Sequence, residues 1–299
     1  MNILVSGSTG LIGSALIPSL QGAGHHVTRL VRGAARPGQS ACSWDPQRGP
    51  ADPRSLEQLD AVVHLAGESI VGRWTAEKRR RIRDSRVDAT RRLCEALSRL
   101  ASRPKAFVCA SAVGYYGDRG DEELTEASGR GQGFLPDVCE AWEAAAAPLA
   151  ARGTRVVNLR FGMVLSPVGG ALAKMLPIFR VGLGGPVGNG RQWWSWVTLD
   201  DAVGAITHAL DRPDVAGPVN TVAPQPVTNK TFTAALARAL RRPAIFPLPA
   251  PIARLMFGEM ADALLLASAK VVPSKLLATN YKFVDDRLDG ALQRLLRSR

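Results

Sequence analysis

Short runs of consecutive apolar residues recur along the chain, separated by stretches with helical periodicity. Residues 2–6, 26–31, 61–66, 106–111 and 154–160 each read as a strand covered on both faces, the habit of a parallel sheet. Residues 11–21 read as a helix closing at Gly22 and Gly24, with Pro18 predicting a kink or an early end. Between 75 and 100, Ile82, Ala89, Leu93, Leu97 and Leu100 fall on one helical face. Further helices are expected over 138–151, over 198–210 and over 232–240. The second of these opens on Asp200-Asp201, where a helix N-terminus favours negative charge. Alternating strands and helices predict an α/β fold, a Rossmann-like doubly wound parallel sheet.

The texture changes beyond Ser166. Glycine and proline thicken from 167 to 190, and Trp193, Trp194 and Trp196 follow. A smaller substrate lobe is expected from 167–196 and 221–242, completing a unit over 1–242. Pro243, Pro247, Pro249 and Pro251 mark a link. A short helical C-terminal domain is expected over 247–299.

Of 299 residues, 46% are hydrophobic and 21% charged, which places the chain among folded globular proteins. The net charge of +12 permits acidic partners without indicating a fold. Uncharged apolar stretches such as 263–269 fall far short of the roughly 20 residues of a membrane span. No membrane partner is therefore expected. The opening strand reaches a glycine loop by Gly7, unlike a secretory leader. Cys42, Cys94, Cys109 and Cys139 form no C-x-x-C pair, so reduced thiols, no metal and a cytoplasmic setting are expected. The basic run Lys78-Arg79-Arg80-Arg81-Ile82-Arg83 lacks interleaved aromatics; it reads as a solvated helix face rather than a nucleic-acid site.

Gly7, Gly10 and Gly13 form a G-x-x-G-x-x-G pattern between the first strand and the first helix. Such glycines permit a tight turn and let backbone approach a pyrophosphate at a helix N-terminus, so a dinucleotide is expected. An NAD site usually ends its second strand with an acid that bonds the ribose 2′-hydroxyl. Here that place holds Val31 and Arg32, with Arg29 nearby. A guanidinium can grip a 2′-phosphate that a carboxylate would repel, which favours NADP(H).

These residues resemble the extended short-chain dehydrogenase/reductases, the NAD-dependent epimerase/dehydratase superfamily. The supporting motifs are the three glycines, His64-Leu65-Ala66-Gly67, Ser111 before Tyr115-Tyr116-Gly117, Leu159-Arg160-Phe161-Gly162, and Gly188-Asn189-Gly190 leading to Trp196-Val197-Thr198-Leu199-Asp200-Asp201. The terminal segment, with Gly258-Glu259-Met260, resembles the domain of unknown function of one atypical epimerase-family branch. The resemblance implies that Ser8, Thr9, Gly10, Leu11 and Ile12 cradle phosphates and that Val31 and Arg32 meet the adenosine ribose. It also implies that Leu65, Ala66 and Gly67 border the adenine side and Val164 the nicotinamide side. Gln192, Trp193 and Trp194 fall where relatives shape a substrate pocket.

The family's chemistry rests on Ser, Tyr-x-x-x-Lys and Asn. In this chain Cys139 stands at the tyrosine position and Glu143 at the lysine position, and Arg86 replaces the asparagine. Ser111 remains, and Tyr115 or Tyr116 beside it is the nearest substitute acid. Arg86 and Arg81 are placed to reach cofactor phosphates. Glu143 calls for a cation, Arg86 or another. Two functions are open: an NADP(H)-dependent oxidoreductase or epimerase acting on a small molecule, and a catalytically silent NADP(H)-binding regulator.

Overall fold

A computed structural model describes residues 1–33, 40–46, 49–50 and 53–297. Its main sheet holds β1 (Asn2–Ser6), β2 (His26–Arg32), β3 (Ala41–Asp45), β4 (Gly49–Pro50), β5 (Ala61–His64), β6 (Ala106–Ala112), β7 (Arg155–Phe161) and β8 (Gly217–Thr221). The order is β8-β7-β6-β5-β1-β2-β3-β4, parallel throughout except for the last pair. Ile3, Leu4, Val62, Val63, Phe107 and Val108 are fully buried, because both faces of the central strands are covered. The chain runs outward from β1 in one direction through β2 and in the other from β5. The crevice at the carboxyl ends of β1 and β5 is therefore the topological switch point, where such sheets bind ligands.

Helix α1 spans Leu11–Gly22 without a break at Pro18. Pro18 and Ser14 are both exposed, so water can serve the carbonyl that the missing N–H leaves unpaired. The expected helix over 75–100 divides into α2 (Ala76–Asp84) and α3 (Val87–Ser98). Ser85 explains the division: its Oγ donates to Ile82 O and accepts from Glu68 N at 3.0 Å, anchoring the loop after β5. Helix α4 (Phe134–Ala144) begins before the expected start, and a separate turn covers Ala147–Ala150. Helix α5 (Gly170–Arg180) follows β7. Helix α6 (Leu199–Asp211) is capped by the Thr198 hydroxyl, which accepts from Asp201 N, and α7 covers Asn229–Leu240.

The terminal segment contributes α8 (Ala250–Phe257) and α9 (Leu288–Arg297). It is stitched to the rest of the chain. Lys270–Val271 pairs with Glu123–Leu124, and Leu276 is buried in the main core. The buried carboxylate of Asp201 accepts from Tyr281 Oη, Val284 N and Asp285 N.

Candidate nucleotide cleft and catalytic floor

The loop from β1 to α1 is shaped by its glycines. Gly7 has φ +68, and a Cβ there would lie 2.7 Å from the Leu65 carbonyl carbon. A Cβ on Gly13 would lie 2.2 Å from Gly7 O, so only glycine lets the first turn of α1 close onto the loop. Gly10 N donates to Gly7 O at 3.0 Å, and no side chain caps the helix that Gly10 opens. With no acid in its first turn either, α1 presents backbone N–H groups and a positive dipole end to the crevice. These features fit a pyrophosphate. Ser8 and Gly13 are buried in the loop, Thr9 and Gly10 are exposed, and Leu11 and Ile12 are half-buried. Leu11 also packs against Gly169 and Gly170 at the start of α5.

The opposite wall is held by a buried serine and histidine. Ser6 Oγ accepts from Leu65 N at 3.1 Å and Ala66 N at 3.2 Å, and so gives its own proton to His64 Nδ1 at 2.7 Å. The His64 proton then lies on Nε2, which is buried without a partner among the described residues. Burial lowers the His64 pKa to about 4, so the ring is neutral near pH 7.

Val31 is half-buried at the end of β2, and Arg32 beside it is exposed at the cleft mouth. Gly67 and Glu68 face α2. Lys78 bonds Glu68 at 2.6 Å and, with smaller help from Arg81 and Arg32, keeps that carboxyl below the ordinary range. Arg81 is exposed and pairs with Glu77 at 2.8 Å. Arg86 turns its guanidinium under Gly67, where it donates to Glu68 O at 3.0 Å and Ile82 O at 3.1 Å. It also covers the Trp142 ring at 5.2 Å.

The floor beyond is a row across three strands, because Ser111, Arg160 and Asn220 are partners in the registers of β6, β7 and β8. Glu143 on α4 sits over this row. Arg160 donates to it through Nε and Nη2, both at 2.8 Å, and Ser111 Oγ donates to it at 2.7 Å. Arg160 Nη1 donates to Tyr116 Oη at 2.9 Å, and Tyr116 Oη lies 2.7 Å from its acceptor Asn220 Oδ1. Burial works against the Arg160 charge, but the hydrogen bond and charge of Glu143 outweigh it and hold the group above its ordinary range. The cation Glu143 calls for is thus Arg160 and not Arg86.

The candidate acids separate here. Tyr116 is fully buried with its hydroxyl engaged, and burial raises its pKa. Tyr115 is half-buried, its ring 3.5 Å from the Arg160 guanidinium, and its hydroxyl has no hydrogen-bond partner among the described residues. Cys139 is buried; burial first, then Glu143, push its thiol up to about 12, which keeps it protonated and unreactive. Val164 is half-buried beside the start of α5.

Gln192 is buried and donates to Val187 O and Leu265 O, tying the lobe to the terminal segment. Trp193 donates to Asp121 at 2.7 Å, and Trp194 packs on Phe232 with its Nε1 unpartnered among the described residues. Sequence reasoning missed Arg160 and Asn220 as members of the floor. The available signal was a lone charge between the apolar neighbours Leu159 and Phe161 in a buried strand, where a charge needs a partner.

Residues 3–222 match the model of the NAD dependent epimerase/dehydratase family, and the chain belongs to that family. Residues 248–295 match a domain of unknown function, DUF1731. Among relatives, the epimerase family protein MT2273 of Mycobacterium tuberculosis is 42% identical over 291 residues, 97% of this chain and 96% of that protein. The epimerase family protein SDR39U1 of Homo sapiens is 38% identical over 300 residues, covering 99% of this chain and 100% of that protein. The crystal structure of human SDR39U1 (isoform 2) with NADPH superposes with a TM-score of 0.92 at 37% identity, covering 100% of both chains. A nucleoside-diphosphate sugar epimerase from Corynebacterium glutamicum superposes at 0.82 with 36% identity, covering 99% of this chain and 58% of that one. Among the described residues no helix is long and apolar enough to cross a membrane.

Proposed function

We propose that the chain binds NADP(H) in the crevice between β1 and β5 and works as an oxidoreductase or epimerase on a small carbonyl or hydroxyl compound. The observation that carries this reading is the glycine-shaped, uncapped start of α1 together with Arg32, a cation and not an acid, at the end of β2. Support comes from the human relative at 37% identity that was solved with NADPH. Ser8 to Ile12 would hold the pyrophosphate, Arg32 the 2′-phosphate, and Leu65 to Gly67 the adenosine side. The bound cofactor supplies or accepts hydride.

The protein's part is the proton. Tyr115 is the candidate donor, since its hydroxyl is uncommitted while the Tyr116 hydroxyl is held in the floor. Arg160 keeps its guanidinium against the Tyr115 ring. On this reading residues 1–242 carry cofactor and substrate, and 247–299 form a small domain that closes the lobe.

A second reading, binding without turnover, is favoured by Cys139 and Glu143 at the positions of the family's tyrosine and lysine and by the Ser111 proton spent on Glu143. Following NADPH oxidation across a panel of aldehydes and ketones separates the two. The oxidoreductase reading expects turnover with at least one member, lost in Tyr115→Phe. Binding of NADPH with no oxidation by any member, and no epimerisation of a matching panel of hydroxyl compounds in the presence of NADP+, supports the regulator.

A further inference from the structure

Eight of the thirteen large apolar side chains exposed among the described residues fall within 178–183 and 245–256. They include Val181, Leu183, Ile245, Phe246, Leu255 and Met256. The two segments run side by side, with Phe246 N donating to Gly184 O at 3.1 Å and Leu248 N to Pro186 O at 2.8 Å. Helix α8 leaves directly from the second segment. On it Ile252, Leu255 and Met256 stand at i, i+3, i+4 spacing in the open, while Ala253 turns into the protein.

Charge on this lobe is one-sided. No Asp or Glu occurs from residue 144 to 199 or from 215 to 258. Lys174, Arg180, Lys230, Arg241 and Arg242 are exposed and make no ion pair among the described residues. Arg238 and Arg254 are neutralised by Asp289 and Asp262. Lys230, Arg241 and Arg242 line a groove of about 520 Å³ with Pro186 and Pro243, at the edge of the apolar strip.

We propose that this face docks onto an anionic lipid surface. Exposed apolar side chains would enter the boundary of the acyl region, and the cations beside them would lie over negative headgroups. A patch of this kind rarely stays uncovered on a soluble protein, and its charge selects the cover. A second copy would bring together two faces on which unpaired cations outnumber the acids, Asp262 and Asp289 being already engaged by Arg254 and Arg238, which disfavours self-pairing. The contact is peripheral and needs no membrane-spanning helix, of which there is none among the described residues. The expectation of no membrane partner rested on the lack of a span-length apolar stretch, and the proposal adds a surface contact that such a reading does not address.

The test is sedimentation of the full chain with sucrose-loaded vesicles, either pure phosphatidylcholine or with roughly a third phosphatidylglycerol. Binding to the anionic vesicles, released by high salt and at least tenfold weaker to the neutral ones, is expected. Each cation near such a surface contributes about fivefold in partitioning. Arg241→Glu with Arg242→Glu should then cost at least tenfold. Phe246→Ser with Leu255→Ser should weaken binding to the anionic vesicles at low salt, although it leaves the charge unchanged. Unchanged melting and NADPH affinity in both variants establish that they are folded. No sedimentation of the wild-type chain, or sedimentation indifferent to both variants, overturns the proposal. Self-association without vesicles that both variants abolish would assign the face to a second copy and overturn it as well.

Discussion

Glu143 and Arg160 meet in a two-pronged ion pair, with both contacts at 2.8 Å, in the floor of the cleft. Arg160 is 3% exposed and Glu143 12%, so neither charge can turn to water if its partner is removed. Arg160→Met is expected to cost about 3–5 kcal/mol, because it leaves a carboxylate buried alone. Adding Glu143→Leu should recover most of that loss. Thermal unfolding of the two single variants and the double variant checks this; a double variant as unstable as the sum of the singles would contradict it.

The two tyrosines should behave oppositely. Tyr116→Phe removes the group between Arg160 and Asn220, leaving buried donors and acceptors short, at a cost of about 1–3 kcal/mol. Tyr115→Phe should leave stability within about 0.5 kcal/mol, as for a substitution that breaks no buried bond. Urea midpoints measure both, and a reversed order would contradict the floor described above.

Stability should fall in mild acid through His64. Its folded pKa of about 4 lies below the ordinary value of 6.5, so the unfolded chain takes up the proton first. The neutral ring contributes its full share above pH 6.5, and the share is lost as pH falls towards 4, at about 3 kcal/mol in all. His64→Asn should flatten the drop in unfolding free energy between pH 7 and pH 4.5. An unchanged slope would show that another group governs it.

The glycine loop gives a graded series. A Cβ at Gly13 would lie 2.2 Å from Gly7 O, one at Gly10 3.2 Å from the same atom. Gly13→Ala is expected to shift α1 off the loop and lower NADPH affinity more than tenfold, and Gly10→Ala should do so less. Fluorescence titration of NADPH reads both, and equal affinities would contradict a loop held by close backbone contact.

Much of the sheet was legible because its inner strands are unbroken apolar runs, and the glycine triplet stood in its expected setting. The rest depended on contacts between residues far apart in the chain. Strand β3, with Ser43 and Asp45 among its five residues, lies near the sheet edge and carries no apolar run. Strand β8 opens on Gly217-Pro218, which reads as a turn. The break between α2 and α3 follows from Ser85 binding Glu68 N, a bond that periodicity cannot show. Likewise the sequence displays the charge reversal at Glu143 but not its answer, since only the β6–β7 register brings Arg160 beside Ser111.

The central claim is that the cation at the end of β2 chooses the cofactor. Calorimetric titration of the wild-type chain and of Arg32→Asp with NADPH and NADH tests it directly. The wild type should bind NADPH more tightly than NADH, and Arg32→Asp should weaken NADPH by tenfold or more while leaving NADH nearly unchanged. Equal weakening of both nucleotides, or no heat from the wild type with either one, would contradict it.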